Sequence, residues 1–141
     1  MKIHQTQQKI LEEALMSFRH KMTTALVEEA KKHDWSLSHF EVIQYIAEQG
    51  NPSMKDIASQ LHITPPSAST LVDTLVSKNL VLRSQTPDDR RAIHVILAPT
   101  AHKLLVSIYK KKSSIFNSML SNLNEGDKKE LARILTKCTS I

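Results

Sequence analysis

Apolar residues recur along this chain at steps of three and four, broken once by a short stretch of alternation. From about His4 to Lys32, residues Ile10, Leu11, Ala14, Leu15, Phe18, Met22, Ala25 and Leu26 follow that rhythm, which predicts a long amphipathic helix. Ser38 and Glu41 have the spacing of a capping box, and Leu37 with Val42 makes a hydrophobic staple. A second helix is therefore expected from Ser38 to about Gln49. Gly50-Asn51-Pro52 ends it, and Ser53 caps a third helix that turns Met54, Ile57, Ala58 and Leu61 inward. His62-Ile63 is then a turn. Thr64 offers a side-chain oxygen to the amides of a fourth helix, with Pro65 where its missing N–H does no harm. Ala68, Leu71, Val72, Leu75 and Val76 form its buried stripe.

The rhythm changes after Asn79, a residue suited to a left-handed helix exit. Val81–Gln85 and Ala92–Leu97 are short β-rich runs separated by Thr86-Pro-Asp-Asp-Arg-Arg, which predicts a hairpin. Pro99 opens another helical pattern through Leu104, Leu105, Ile108, Tyr109, Ile115, Phe116, Met119 and Leu120. Asn122-Leu-Asn-Glu-Gly breaks it, and Asn124 with Asp127 starts a last helix carrying Leu131, Ile134 and Leu135. Helices three and four, joined by so short a turn and followed by a ribbon, read as a helix-turn-helix pair with a wing. The class is mainly α with a small β-hairpin wing.

Composition narrows the chemistry. The 141 residues fit one domain, and the net charge of +5 favours a polyanionic partner without proving one. One cysteine, Cys138, allows neither an internal disulfide nor a cysteine-rich zinc site. No signal core or membrane-length apolar run is present, so a cytoplasmic protein with no membrane partner is expected. With two glycines, Gly50 and Gly126, a glycine-rich phosphate loop cannot be built. Ser, His and Asp occur without a nucleophile elbow or metal signature to unite them, so no enzyme, catalytic residue or cofactor is assigned.

The outer face of the fourth helix is short and polar. Ser67, Ser69 and Thr70 are its candidate base or phosphate contacts, with Thr64, Pro66 and Asp73 beside them. That face has no Arg or Gln for bidentate base reading, so thymine methyls, water bridges and DNA shape would carry more of any specificity.

Asp89-Arg90-Arg91 followed by Val95 and Leu97 resembles the Asp-x-Arg-x-x-x-Val-x-Leu-Thr wing signature of the MarR family of winged helix-turn-helix regulators. The chain departs from the family's usual residues at Asn79, where Gly is common, at Ala98, where Thr is common, and at Ala101, where Gly is common. Loss of the hydroxyl at Ala98 removes a cap from the following helix. The resemblance implies that Arg91 enters the minor groove, held by the Asp89 carboxylate, with Arg90 and Arg83 on phosphates. It implies a homodimeric repressor on a pseudopalindromic double-stranded DNA site: residues 1–35 and 99–141 would dimerise, and 36–98 would bind DNA. It also implies a small-molecule effector cleft between the dimer helices and the winged domain, for which Trp35, Phe40, Tyr45 and His102 are candidates.

Rival readings stay open. A winged-helix protein–protein adaptor would use the same helices without DNA. A metal-responsive regulator would use Glu29, His33, His39, Glu41 or His102, although no His-x-x-x-His pair anchors such a site. A redox-responsive one would use Cys138, where a passive thiol is the simpler expectation. Lys110-Lys111-Lys112 reads most simply as a solvated helix face.

Overall fold

The structure is a computed structural model and describes residues 2–86 and 89–140. Six helices and one hairpin follow in order: α1 (Lys2–Lys31), α2 (Leu37–Gln49), α3 (Met54–Gln60), α4 (Pro65–Ser77), β1 (Val81–Thr86), β2 (Asp89–Leu97), α5 (Ala101–Met119) and α6 (Glu125–Thr139). The chain divides into two compact units, Leu26–Lys110 on one side and Met1–Ala25 with Lys111–Ile141 on the other. The helix-turn-helix and hairpin lie wholly in the first. That unit also takes in the end of α1 and the first half of α5, wider bounds than the 36–98 expected from sequence.

The central unit contains the core. Ile43 and Ile46 of α2, Ile57 of α3, Ala68, Val72 and Leu75 of α4, and Val81 and Val95 of the hairpin are fully buried. Met54, Leu61, Leu71 and Val76 pack half-buried around them, so the predicted stripes of α3 and α4 face inward. Removing a side chain such as Ile43 from water stabilises the fold by about 1.5–3 kcal/mol.

Local chemistry sets the boundaries. Ser53 accepts from the Asp56 amide at 3.0 Å while Asp56 Oδ2 accepts from the Ser53 amide at 3.0 Å, a reciprocal cap on α3. Asn124 and Asp127 do the same for α6, as expected. Asn79 takes the left-handed conformation (φ +59°) just past α4. The α2 start departs from expectation: Ser36, not Ser38, is the N-cap. His39 stands at its third helical position, and its Nδ1 accepts from the Ser36 amide at 3.1 Å. An imidazole nitrogen here does the work usually given to Glu or Gln, so the matching Ser38/Glu41 pair falls inside the helix instead.

The strands pair antiparallel with Val81 opposite Leu97 and Arg83 opposite Val95, and the register slips between Gln85 and Thr86. A third segment joins them. Ser53 bridges to His94, the Val95 amide donates to the Pro52 carbonyl at 2.9 Å, and His94 Nδ1 donates to the Asn51 carbonyl at 3.1 Å. The loop before α3 thereby fixes the base of the hairpin. Helix α5 starts at Ala101, and the hydroxyl of the preceding Thr100 donates to the Asn79 carbonyl, tying the exit of α4 to the entry of α5.

The terminal unit contrasts with this. Ile10, Leu11, Leu15 and Met16 of α1 and Ile134 and Leu135 of α6 are exposed, and α6 has no buried residue. No described helix is long and apolar enough to cross a membrane.

Candidate nucleic-acid interface

Helix α4 presents its polar side outward because the apolar stripe fixes its rotation. Pro66, Ser67, Thr70, Asp73 and Ser77 are exposed and Ser69 is half-buried, while Ala68, Val72 and Leu75 point into the core. The helix packs on α2 and α3 and against β1, which sets both its depth and its angle to the hairpin.

Its N-terminus is unusual. Thr64 caps it by accepting from the Ser67 amide at 3.3 Å, and Pro65 and Pro66 occupy the first two helical positions. Two of the amides that would otherwise project from a helix start are therefore missing, and a third is already bonded. A phosphate at this end would be bound by side chains rather than by the backbone amides that usually serve. Sequence reasoning placed Pro66 at the interface but missed this consequence, which the Pro-Pro pair itself signals.

The hydroxyls are similarly committed. Thr64 Oγ1 donates to Ser67 Oγ at 2.9 Å, so the Ser67 hydrogen is turned outward as a donor. Thr70 Oγ1 donates to the Pro66 carbonyl at 3.1 Å, which leaves that residue its lone pairs and its methyl group. Thr70 thus suits contact with a thymine methyl or with a donor such as an adenine or cytosine amino group.

Arg83 on β1 reaches back across the unit to form an ion pair with Asp73 of α4. Ten residues separate them, and only the α4 exit turn and the strand register bring them together. The side chains of Asp89, Arg90 and Arg91 lie outside the described residues; their backbone forms the start of β2.

The proposed effector residues divide between a buried aromatic pair, an open groove and an exposed helix face. Trp35 and Phe40 are buried and meet edge to face at 5.3 Å, with His33 6.0 Å from Phe40 and Lys78 Nζ 5.7 Å from the Trp35 ring centre. Tyr45 instead lines an open groove of about 410 Å³ with Glu41, Gln44, Glu48, Gln60, Leu61 and His62. His102 is exposed on α5. Burial, with the Lys78 charge as a second cause, lowers the His39 pKa below its ordinary value and favours the neutral ring that caps α2. Of the metal candidates, Glu29 and His33 approach to 3.8 Å, but among the described residues no three His, Cys, Asp or Glu side chains gather as ligands would. Cys138 is exposed on α6.

A family model described as MarR family matches residues 35–93, the stretch from the α1–α2 connection into β2. Residues 35–93 belong to the MarR family. That family consists of transcription regulators rather than enzymes. The MdtR transcriptional repressor of Bacillus subtilis is 23% identical over 124 residues, covering 88% of this chain and 80% of that one. Among solved structures, apo MarR from E. coli matches with a TM-score of 0.81 at 19% identity, covering 92% of this chain and 96% of the other. A cysteine-to-serine mutant of E. coli MarR complexed with operator DNA matches at 0.73 and 20% identity, covering 92% and 93%. These structures share the winged helix-turn-helix fold with the present chain.

Proposed function

We propose that this chain is a MarR-type transcription regulator, a homodimeric repressor that binds a pseudopalindromic duplex, with one α4 helix entering the major groove of each half-site. The carrying observation is the polar outer face of α4, locked by a packed stripe beneath it and joined through Asp73 and Arg83 to the wing. Ser67, Ser69 and Thr70 contact bases or phosphates. Arg91 enters the adjacent minor groove with Asp89 orienting it, and Arg90 lies on a phosphate. The E. coli relative complexed with operator DNA and the repressor from Bacillus subtilis support this reading.

Dimerisation accounts for the other unit. Exposed Ile10, Leu11 and Leu15 on α1 and Ile134 and Leu135 on α6 gain a partner when two copies associate about a two-fold axis. Such a dimer sets two recognition helices one helical turn of DNA apart, about 34–36 Å. An effector would control binding by favouring one spacing of those helices over another, since only differential affinity shifts such an equilibrium. The protein works in the cytoplasm, with its DNA.

Selection of bound duplexes from a random pool tests the reading, followed by rescreening with small molecules for release. Enrichment of a two-fold symmetric site is expected. Failure to enrich any duplex, with binding insensitive to salt, would favour the protein–protein adaptor, because counterion release makes DNA affinity fall steeply with salt.

A further inference from the structure

We infer that Asp73 is a specificity-determining residue that acts by holding Arg83 off the phosphate backbone. This deepens the DNA-binding reading and depends on it. A carboxylate on the exposed side of a helix that approaches DNA repels phosphates, and Asp73 is 62% exposed on that side. Its partner is the guanidinium of Arg83, a cation on the first strand of the wing at the height of Val95. An arginine at that place would otherwise bind any phosphate within reach and so add affinity for every sequence equally.

The ion pair changes both properties. It cancels the Asp73 charge towards the DNA, and it prevents Arg83 from counting among the cations that displace counterions. It also spans α4 and β1, the elements that carry the two reading surfaces, and so resists independent rotation of helix and wing. Specificity is a difference of affinities, and withholding a sequence-independent contact enlarges that difference. The recognition helix, which has no bidentate base-reading side chain of its own, gains from a low non-specific background.

The test uses the full-length protein, a random-sequence duplex and the duplex recovered by selection, each titrated with salt. Asp73→Asn frees Arg83 for one phosphate, so the slope of log K against log salt on random DNA steepens by about 0.9. Between about 50 and about 200 mM salt this is an extra loss of roughly 3.5-fold. The ratio of selected to random affinity narrows. Asp73→Asn combined with Arg83→Gln removes both charges and returns the slope to that of the wild type. Thermal midpoints of both variants within a few degrees of wild type show that the fold is retained, and circular dichroism confirms it.

Three results would overturn the inference. An unchanged slope for Asp73→Asn means that Arg83 is not released. An equal steepening in the double variant means that Asp73 acts only by repulsion. A double-variant slope shallower than wild type by about one means that Arg83 already contacts a phosphate. Absence of salt-dependent binding by the wild type would instead overturn the DNA-binding reading itself, and this inference with it.

Discussion

The two units of this chain bury their apolar residues to very different extents. Among the described residues, every buried hydrophobic side chain lies between Ala30 and Ala101, within the winged unit. The terminal unit has equally regular amphipathic helices, yet Ile10 is 62% and Leu15 50% exposed. Regular helical periodicity therefore fixes which face of a helix is apolar, while topology decides whether the same chain covers it. The winged unit is closed by its own caps and hairpin; the terminal unit leaves an apolar surface exposed, the one assigned above to the proposed dimer.

That contrast has a thermodynamic signature. If two copies associate through the terminal faces as proposed, mutations in the winged unit lower stability at any protein concentration, whereas mutations in those faces change a concentration-dependent equilibrium. The largest effect is expected from Leu15→Asp combined with Leu135→Asp. Two charges on the proposed interface yield a monomer, and loss of bivalent binding weakens affinity for the selected duplex by about 10²–10⁴-fold. Analytical ultracentrifugation alongside a binding titration checks this. A variant that stays dimeric with full affinity would remove the terminal helices from the interface.

Ile43→Ala comes next. It opens a cavity in the winged core and should cost about 2–5 kcal/mol, read by urea denaturation with a midpoint shift equal at low and high protein concentration. A shift that vanished at high concentration would blur the division between the units. Arg91→Ala leaves both cores intact and should weaken DNA binding by about 1–3 kcal/mol without altering the oligomer. Unchanged affinity in that variant would remove Arg91 from the minor groove.

The smallest effect concerns pH. The folded His39 pKa lies below its ordinary value of 6.5, chiefly through burial, so the unfolded chain binds this proton more readily. Stability from this group is complete above the unfolded pKa and is lost as pH falls through the folded one. His39→Gln, which retains a side chain able to cap α2, should flatten stability between about pH 7.5 and about pH 5. An unaltered pH profile would mean that another group governs this range.

Much of the fold was legible because local chemistry and periodicity agree. Ser53, Thr64 and Asn124 cap helices as their hydroxyl and amide side chains predict, and Asn79 takes the left-handed exit from α4. The α2 start was misplaced because Ser38 and Glu41 satisfy the familiar pattern, while the true partner is a histidine. The polar face of α4 was equally legible. The Asp73–Arg83 pair was not, since spacing along the sequence says nothing of a contact made across a turn and a strand register. Phe40 and Tyr45 stand five residues apart along a helix of 3.6 per turn, which sets their side chains about 140° apart. They therefore face different surroundings.

The central claim is that two winged units read one duplex through a dimer built by the terminal helices. Footprinting of the selected duplex together with the mass of the complex tests it most directly. The account predicts two chains per duplex and two protected half-sites whose centres lie about 10–10.5 base pairs apart. One chain per duplex, protecting a single unsymmetrical site with undiminished affinity, would contradict it.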